Sequence, residues 1–244
     1  MTKTRSRRLR ILSIAAVVAL TVPATPNVMA DQSDSSNKRS AVSFLHAITG
    51  NSDLFSIDVY AGDTKILDDV KPGQLRTVKV PSGSGKVGVA PAGSSIEDSP
   101  WITRSDRMSW PSDKHVTFTL HTDDDGKPEI TRFINKTRTV GRNMGRLTVR
   151  NLMPETDIDV QAGGRSLLTD LSAAQQGMAG LQSGKYRLLL TESDEDAVLD
   201  RVTVKIRNKP GRSDMGNNVI LHVWRDGSSE QIRISRQEIQ LDLT

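Results

Sequence analysis

Ile57-Asp58-Val59-Tyr60-Ala61-Gly62 and Ile158-Asp159-Val160-Gln161-Ala162-Gly163 are nearly one hexapeptide written twice, 101 positions apart. Carried without gaps over 57–83, the same offset gives ten identities in twenty-seven positions, where chance at ordinary residue frequencies gives about two. After a two-residue slip it returns at Leu120-His121 with Leu221-His222, at Asp125-Gly126 with Asp226-Gly227, and at Glu129 with Glu230 and Arg132 with Arg233. The chain therefore reads as two homologous domains of about 100 residues, well inside the usual domain range. Short apolar runs bounded by Gly, Pro, Asp and Ser clusters mark the strands of each copy. They fall at 41–46, 56–61, 64–67, 75–80, 86–90, 115–121 and 129–135, and again at 146–151, 157–162, 166–168, 185–191, 198–206, 218–224 and 230–235. This spacing predicts an all-β protein of two tandem immunoglobulin-like β-sandwich domains. Ala173–Ala179 could wind one helical turn, but its counterpart Pro72–Val78 is strand-like, so it is read as extended.

Outside the repeats, residues 1–30 read as a signal peptide. A basic stretch up to Arg10 precedes the twelve-residue apolar run Ile11–Val22, with Pro23 and Pro26 beyond it and Val28-Met29-Ala30 ahead of Asp31. The run is too short to span a bilayer, which needs about 20 residues, and cleavage is expected after Ala30. Ser6-Arg7-Arg8 hints at a twin-arginine signal, but Arg10 stands where that motif prefers an apolar residue, so the general secretory route is favoured. The 33 Lys and Arg against 29 Asp and Glu suggest a basic protein, yet five of those bases precede residue 30, where no acid occurs. The remaining chain carries 28 bases and 29 acids, which removes the case for a nucleic-acid partner. With no cysteine there is neither a lipid-anchored N-terminus nor a disulfide, and no apolar C-terminal tail suggests a membrane anchor. Residues 31–38 read as a disordered leader, 39–137 as the first sandwich, 138–144 as a short basic linker and 145–240 as the second sandwich.

The first copy supplies Val42-Ser43-Phe44-Leu45-His46-Ala47, Ile57-Asp58-Val59-Tyr60 and Pro81-Ser82-Gly83; the second supplies Val149-Arg150-Asn151, Ile158-Asp159-Val160 and Gln182-Ser183-Gly184-Lys185-Tyr186. In these residues the chain resembles a family of secreted bacterial domains of unknown function, often found in tandem on actinobacterial and other cell surfaces. The resemblance covers nearly all of residues 40–236, with Gln161 and Gln182 departing from its Tyr and Pro. It implies a fold and a cell-surface or secreted setting, and no activity. In layout alone, two small sandwiches behind a signal peptide, the chain is also similar to the periplasmic accessory protein of alginate acetylation.

Residues shared by both copies are expected to serve the fold. Asp58 and Asp159, each between Ile and Val at the polar phase of a strand, suit bonds to a neighbouring loop backbone. His46 has Asn151 as its counterpart, which points to a polar group bonding a loop rather than a titrating one. His121 and His222 are paired by the repeat and read as structural hydrogen-bonding residues. Asp123-Asp124-Asp125-Gly126 offers three of the six to eight oxygens a calcium site needs, and only its Asp-Gly turn signal recurs. Pro81-Ser82-Gly83-Ser84-Gly85-Lys86 departs from a phosphate-binding loop at Val80 and Val87. No zinc spacing, nucleophile elbow or metalloprotease motif occurs, so no catalytic, cofactor or metal residues are assigned. Trp101 and Trp110, found in the first copy only, are the candidate partner contacts; Trp224 is read as structural.

Taken together, these readings predict a non-enzymatic binding or structural module, secreted or periplasmic, with an envelope protein or polysaccharide as its partner. The alternative is an accessory protein of exopolysaccharide modification that docks to an enzyme or glycan.

Overall fold

A computed structural model describes residues 38–94, 101–138, 140–141, 143–195, 197–207 and 216–241 of the 244-residue chain. The expected signal peptide, its expected cleavage site and all of the expected leader except Lys38 lie outside the described residues. The first sandwich is built from β1 (Arg39–His46), β2 (Ile57–Ala61), β3 (Thr64–Val70), β4 (Leu75–Pro81), β5 (Gly83–Pro91), β6 (Thr103–Trp110), β7 (His115–Thr122) and β8 (Pro128–Asn135). The second repeats them as β9 (Met144–Asn151), β10 (Ile158–Ala162), β11 (Arg165–Leu171), β12 (Gln176–Gln182), β13 (Gly184–Glu192), β14 (Val198–Ile206), β15 (Asn217–Arg225) and β16 (Ile232–Gln240). Each pairs a four-stranded sheet of order β4-β1-β7-β8, or β12-β9-β15-β16, with one of order β3-β2-β5-β6, or β11-β10-β13-β14. All pairings are antiparallel except β1 with β7 and β9 with β15. Ser52–Leu54 forms one short 3-10 turn.

The period-2 alternation fills each core. Val42 and Phe44 of β1 and Val116, Phe118 and Leu120 of β7 face Ile57, Val59, Val87 and Val89 of the opposite sheet. Leu147, Val149, Val219, Leu221 and Val223 do the same in the second sandwich against Ile158, Val160, Leu188 and Leu190. Each such side chain taken fully from water contributes roughly 1.5–3 kcal/mol.

Three sequence readings change. The first copy gains β6, which was unassigned although its counterpart was read as a strand. Ala173–Ala179, read as extended, is extended only from Gln176, where β12 begins after a turn at Ala173 and Ala174, and β16 runs five residues past its expected end at Ser235. Strand pairing also moves the repeat register. His115 lies opposite Ala41, and Asn218 lies opposite Arg146, the counterpart of Ala41, so β15 follows β7 at an offset of 103 rather than 101. His121 is thus the counterpart of Trp224, and His222 that of Thr119. His121 Nε2 meets Thr131 Oγ1 at 2.8 Å, and Trp224 Nε1 donates to Ser235 Oγ at 3.1 Å, one bond made by two side chains.

Candidate functional site

The residues singled out in the sequence hold turns together. Asp58 Oδ1 accepts the N–H of Asp69 at 3.0 Å, and Asp159 Oδ1 accepts that of Asp170 at 3.0 Å. Asp69 and Asp170 both adopt φ of 52°, a left-handed conformation costly for a residue with a Cβ. The duplicated carboxylate therefore caps the donor of a strained bulge in each copy. Asp58 is fully buried and also takes the Gly93 N–H at 3.1 Å and the Lys65 ammonium at 2.6 Å. Burial alone would raise its pKa, but Lys65 and the two backbone donors outweigh that and hold it below the usual value.

His46 and Asn151 do one job with different chemistry. His46 Nε2 donates to Leu54 O at 2.7 Å while Nδ1 accepts from the Ile48 N–H at 3.3 Å. Asn151 Nδ2 donates to Leu171 O at 2.9 Å while Oδ1 accepts from the Met153 N–H at 3.0 Å. In the hairpins, Asp123 Oδ1 accepts the backbone N–H groups of Asp125 and Lys127. Its structural counterpart Asp226 accepts Ser228 Oγ at 2.6 Å, Thr49 Oγ1 of the first sandwich at 2.8 Å, and Arg233. These donors, Ser228 foremost, hold the Asp226 carboxyl well below the usual range.

The two aromatics proposed as contacts separate. Trp110 is 7% exposed, stacks edge-on to Phe118 and donates Nε1 to Pro81 O at 2.9 Å. It is a core residue, and its place as a partner contact is withdrawn, because the face of β5 opposite it carries only Gly83 and Gly85, leaving an indole-sized space. Trp101 stays partly exposed on the outer face of the first sandwich, edge-on to Tyr60 at 5.3 Å and under the Arg104 guanidinium at 4.8 Å.

What the sequence did not signal is the seam between the sandwiches. The outer faces of β1 and β7 carry Ser43, Thr117, Thr119 and His121, and those of β9 and β15 carry Thr148, Arg150, Asn218 and His222; all are buried. Gln237 of β16 reaches across, its Nε2 donating to Ser43 Oγ at 2.9 Å and facing His115 Nε2 at 3.3 Å, while its Oε1 accepts from Thr117 at 3.2 Å. In return Arg150 of β9 donates to Asn135 and lies 4.4 Å above the Phe133 ring of β8. Phe133, Leu45 and Ala47 join Leu152 and Trp224 in an apolar cluster shared by both repeats. Arg150 is fully buried and no described carboxylate pairs with it, and that desolvation lowers its pKa to about 9. Burial, then the Arg150 charge, lowers the pKa values of His115 and His222.

At the end where β1, β7 and β9 begin, the seam opens into two adjoining recesses of about 320 and 350 Å³ that share Lys114 and Thr137. Arg39, Lys79, Lys114, Lys136, Arg138 and Arg146 line them, with Asp113 the one acid among the described lining residues. Six positions scattered over more than 100 residues of sequence meet there because each lies at or near a strand terminus on the same end of the molecule.

Among the described residues no cluster of three or more His, Cys, Asp or Glu could hold a metal ion, and no helix is long and apolar enough to cross a membrane. No family model matches the chain. No curated protein matches it. Among solved structures it is similar to a "putative cell adhesion protein" from Bacteroides uniformis, at 6% identity and a TM-score of 0.25, over 84% of this chain and 98% of that one. At this score the two share too little backbone geometry for function to pass from one to the other.

Proposed function

We propose that this protein is an exported, non-enzymatic binding or structural module of the cell envelope or extracellular space, working as one body of two sandwiches. One observation carries the reading: the side chains able to do chemistry are committed to the fold. His46, His121, Asp58, Asp159 and Asp226 each hold a loop, bulge or hairpin, and His115 and His222 lie in the seam. What is left to act is the exposed surface. The basic n-region and short apolar run of residues 1–30 support export.

The test is retention of purified residues 31–244 on washed envelope, secreted polysaccharide and culture-medium proteins, each with a saturation curve. Saturable retention on one fraction is expected and names the partner class. Absence of retention on all three overturns the reading. Trp101→Ala, at the partly exposed aromatic, shows whether that face takes part.

A further inference from the structure

We propose that the two basic recesses at the seam form one groove that binds a linear polyanionic envelope polymer, a sugar or polyol chain bearing carboxylate or phosphate groups. This rests on the binding-module reading and names its partner by chemistry. Beyond the first thirty residues the chain carries 28 bases and 29 acids, so six cations with one acid in a single groove is a strong local excess. Elsewhere several cations, Lys65, Arg104, Arg225 and Arg233 among them, have carboxylate partners. None of the six groove cations has a described carboxylate within 4.0 Å, and Arg146, half-buried, donates to the carbonyl of Lys136 at 2.8 Å.

Like charges gathered around a concave recess repel one another, and the same geometry focuses their field on an incoming anion. The opposite end of the sandwiches carries Asp53, Asp123, Asp124, Asp125, Glu155 and Glu230, with Lys127 paired to Asp125 and Arg225 to Glu230, so that end has no matching excess of cations. The shape argues for a chain. Each recess is near the lower bound of ligand-pocket volumes, roughly 300 Å³, and the two lie in series through Lys114 and Thr137. A bilayer surface is flat and is gripped by protruding apolar groups, whereas the lining apolar residues are Ala41, Ile134 and Ile239. Single-stranded nucleic acid is held by aromatic stacking, and no Phe, Tyr or Trp is among the described residues that line the groove.

The experiment titrates residues 31–244 with polygalacturonate and with poly(glycerol phosphate) teichoic acid, using dextran as the neutral control. Phosphatidylglycerol vesicles and single-stranded DNA test the other polyanion classes. The variant is Lys114→Glu/Arg138→Glu, two exposed residues, and the matched control is Arg201→Glu/Lys205→Glu on the outermost sheet, with melting curves for both. The expected result is binding to at least one charged polymer and none to dextran, weakened about tenfold or more in the groove variant and unchanged in the control. Raising salt from about 0.05 to about 0.5 M should weaken it further. Preference for the carboxylate or the phosphate polymer identifies the source of the anion. The proposal is overturned by no binding to either polymer, by equal loss in both variants, or by tighter binding to vesicles or DNA. Envelope retention keeps the two readings apart: if wild type is retained and the groove variant equally so, this surface is wrong and the module reading stands. If wild type is not retained at all, the module reading itself fails.

Discussion

His46 is neutral for a geometric reason. Its Nδ1 accepts the Ile48 N–H, so a proton there would set two donors against each other, and burial already lowers its pKa below 6.5. The unfolded chain then binds that proton more readily than the folded one. Stability is full above about pH 6.5 and falls as pH drops below it, by up to about 1.4 kcal/mol per pH unit for each histidine kept neutral. Asn151 supplies the same donor and acceptor without a titrating group. His46→Asn is therefore expected to keep most of the stability at pH 7.5 while flattening the decline between pH 6.5 and 5, as measured by urea unfolding. His46→Ala leaves the Leu54 carbonyl and Ile48 N–H unpaired and should cost about 1–3 kcal/mol. Equal pH slopes for wild type and His46→Asn would show that the acid sensitivity lies elsewhere. Asp58 has the same sign in a lower window: its pKa is lowered from 3.8, so what it contributes is fully present above about pH 3.8 and is lost as pH falls below that and the carboxylate is protonated. Asp58→Ala should destabilise more than Asp159→Ala, because Asp58 is fully buried and also holds Lys65, while the Gly93 N–H it takes is matched at Asp159 by the Ser193 hydroxyl.

Between β5 and β6 the two repeats solve one packing problem in mirrored ways. In the first, Gly85 lies under Trp110, where a side chain's Cβ would stand 3.2 Å from the indole. In the second, the corresponding positions are Tyr186 and Ile206, and the tyrosine ring covers Gly184. The large side chain has changed strands. Trp110→Ile alone should cost about 3–5 kcal/mol through the cavity it leaves, by analogy with large-to-small core changes. Gly85→Tyr alone should destabilise by overpacking against the indole. The double variant copies the second repeat and should be more stable than the sum of the singles by at least about 1 kcal/mol, a coupling read from a double-mutant cycle of urea unfolding; additive losses would refute the exchange. The same strands show what sequence could carry. The repeated Ile-Asp-Val announced a duplicated β domain because period-2 alternation and the bulge cap are local. The segment Thr103–Trp110, with Arg104, Asp106 and Arg107 exposed, has too few apolar residues to announce an edge strand. The repeat offset slipped at β7 because Leu-His and Asp-Gly recur by sequence at 101, while backbone pairing sets 103. Ser43, Thr117 and Thr148 carry no sequence signal of the seam, since a polar residue at the outward phase looks the same whether water or another sheet lies beyond it. For the same reason the seam and its basic groove were invisible, apart from the basic linker.

The seam determines how the whole molecule responds to acid and to substitution. β1, β7, β9 and β15 are covered on both faces, so neither sandwich can lose its partner without exposing Leu45, Phe133, Leu152 and Trp224 together. A single cooperative unfolding transition is expected by calorimetry, and two separated transitions would show the sandwiches to be energetically independent. At the centre Arg150 combines an unpaired buried charge with a lowering effect on His115 and His222. His115 Nε2 faces the Gln237 amide N–H, an arrangement that requires an unprotonated acceptor. Replacing Arg150 by Met keeps much of the volume over Phe133 and removes the charge, a class of change that is neutral or stabilising by about 1–4 kcal/mol in other buried ionic sites. It also removes the Coulombic part of the lowering at both histidines, so their pKa values move back toward 6.5 and the unfolded chain loses some of its advantage in binding protons. Arg150→Met is therefore expected to show upward shifts of the His115 and His222 titrations by NMR together with a shallower loss of stability below pH 6.5. Unmoved histidine titrations would mean that burial alone keeps them neutral. A large loss of stability at pH 7.5 would mean that the bonds to Asn135 and Gln176 outweigh the cost of burying the guanidinium, and that Arg150 holds the two sandwiches in register.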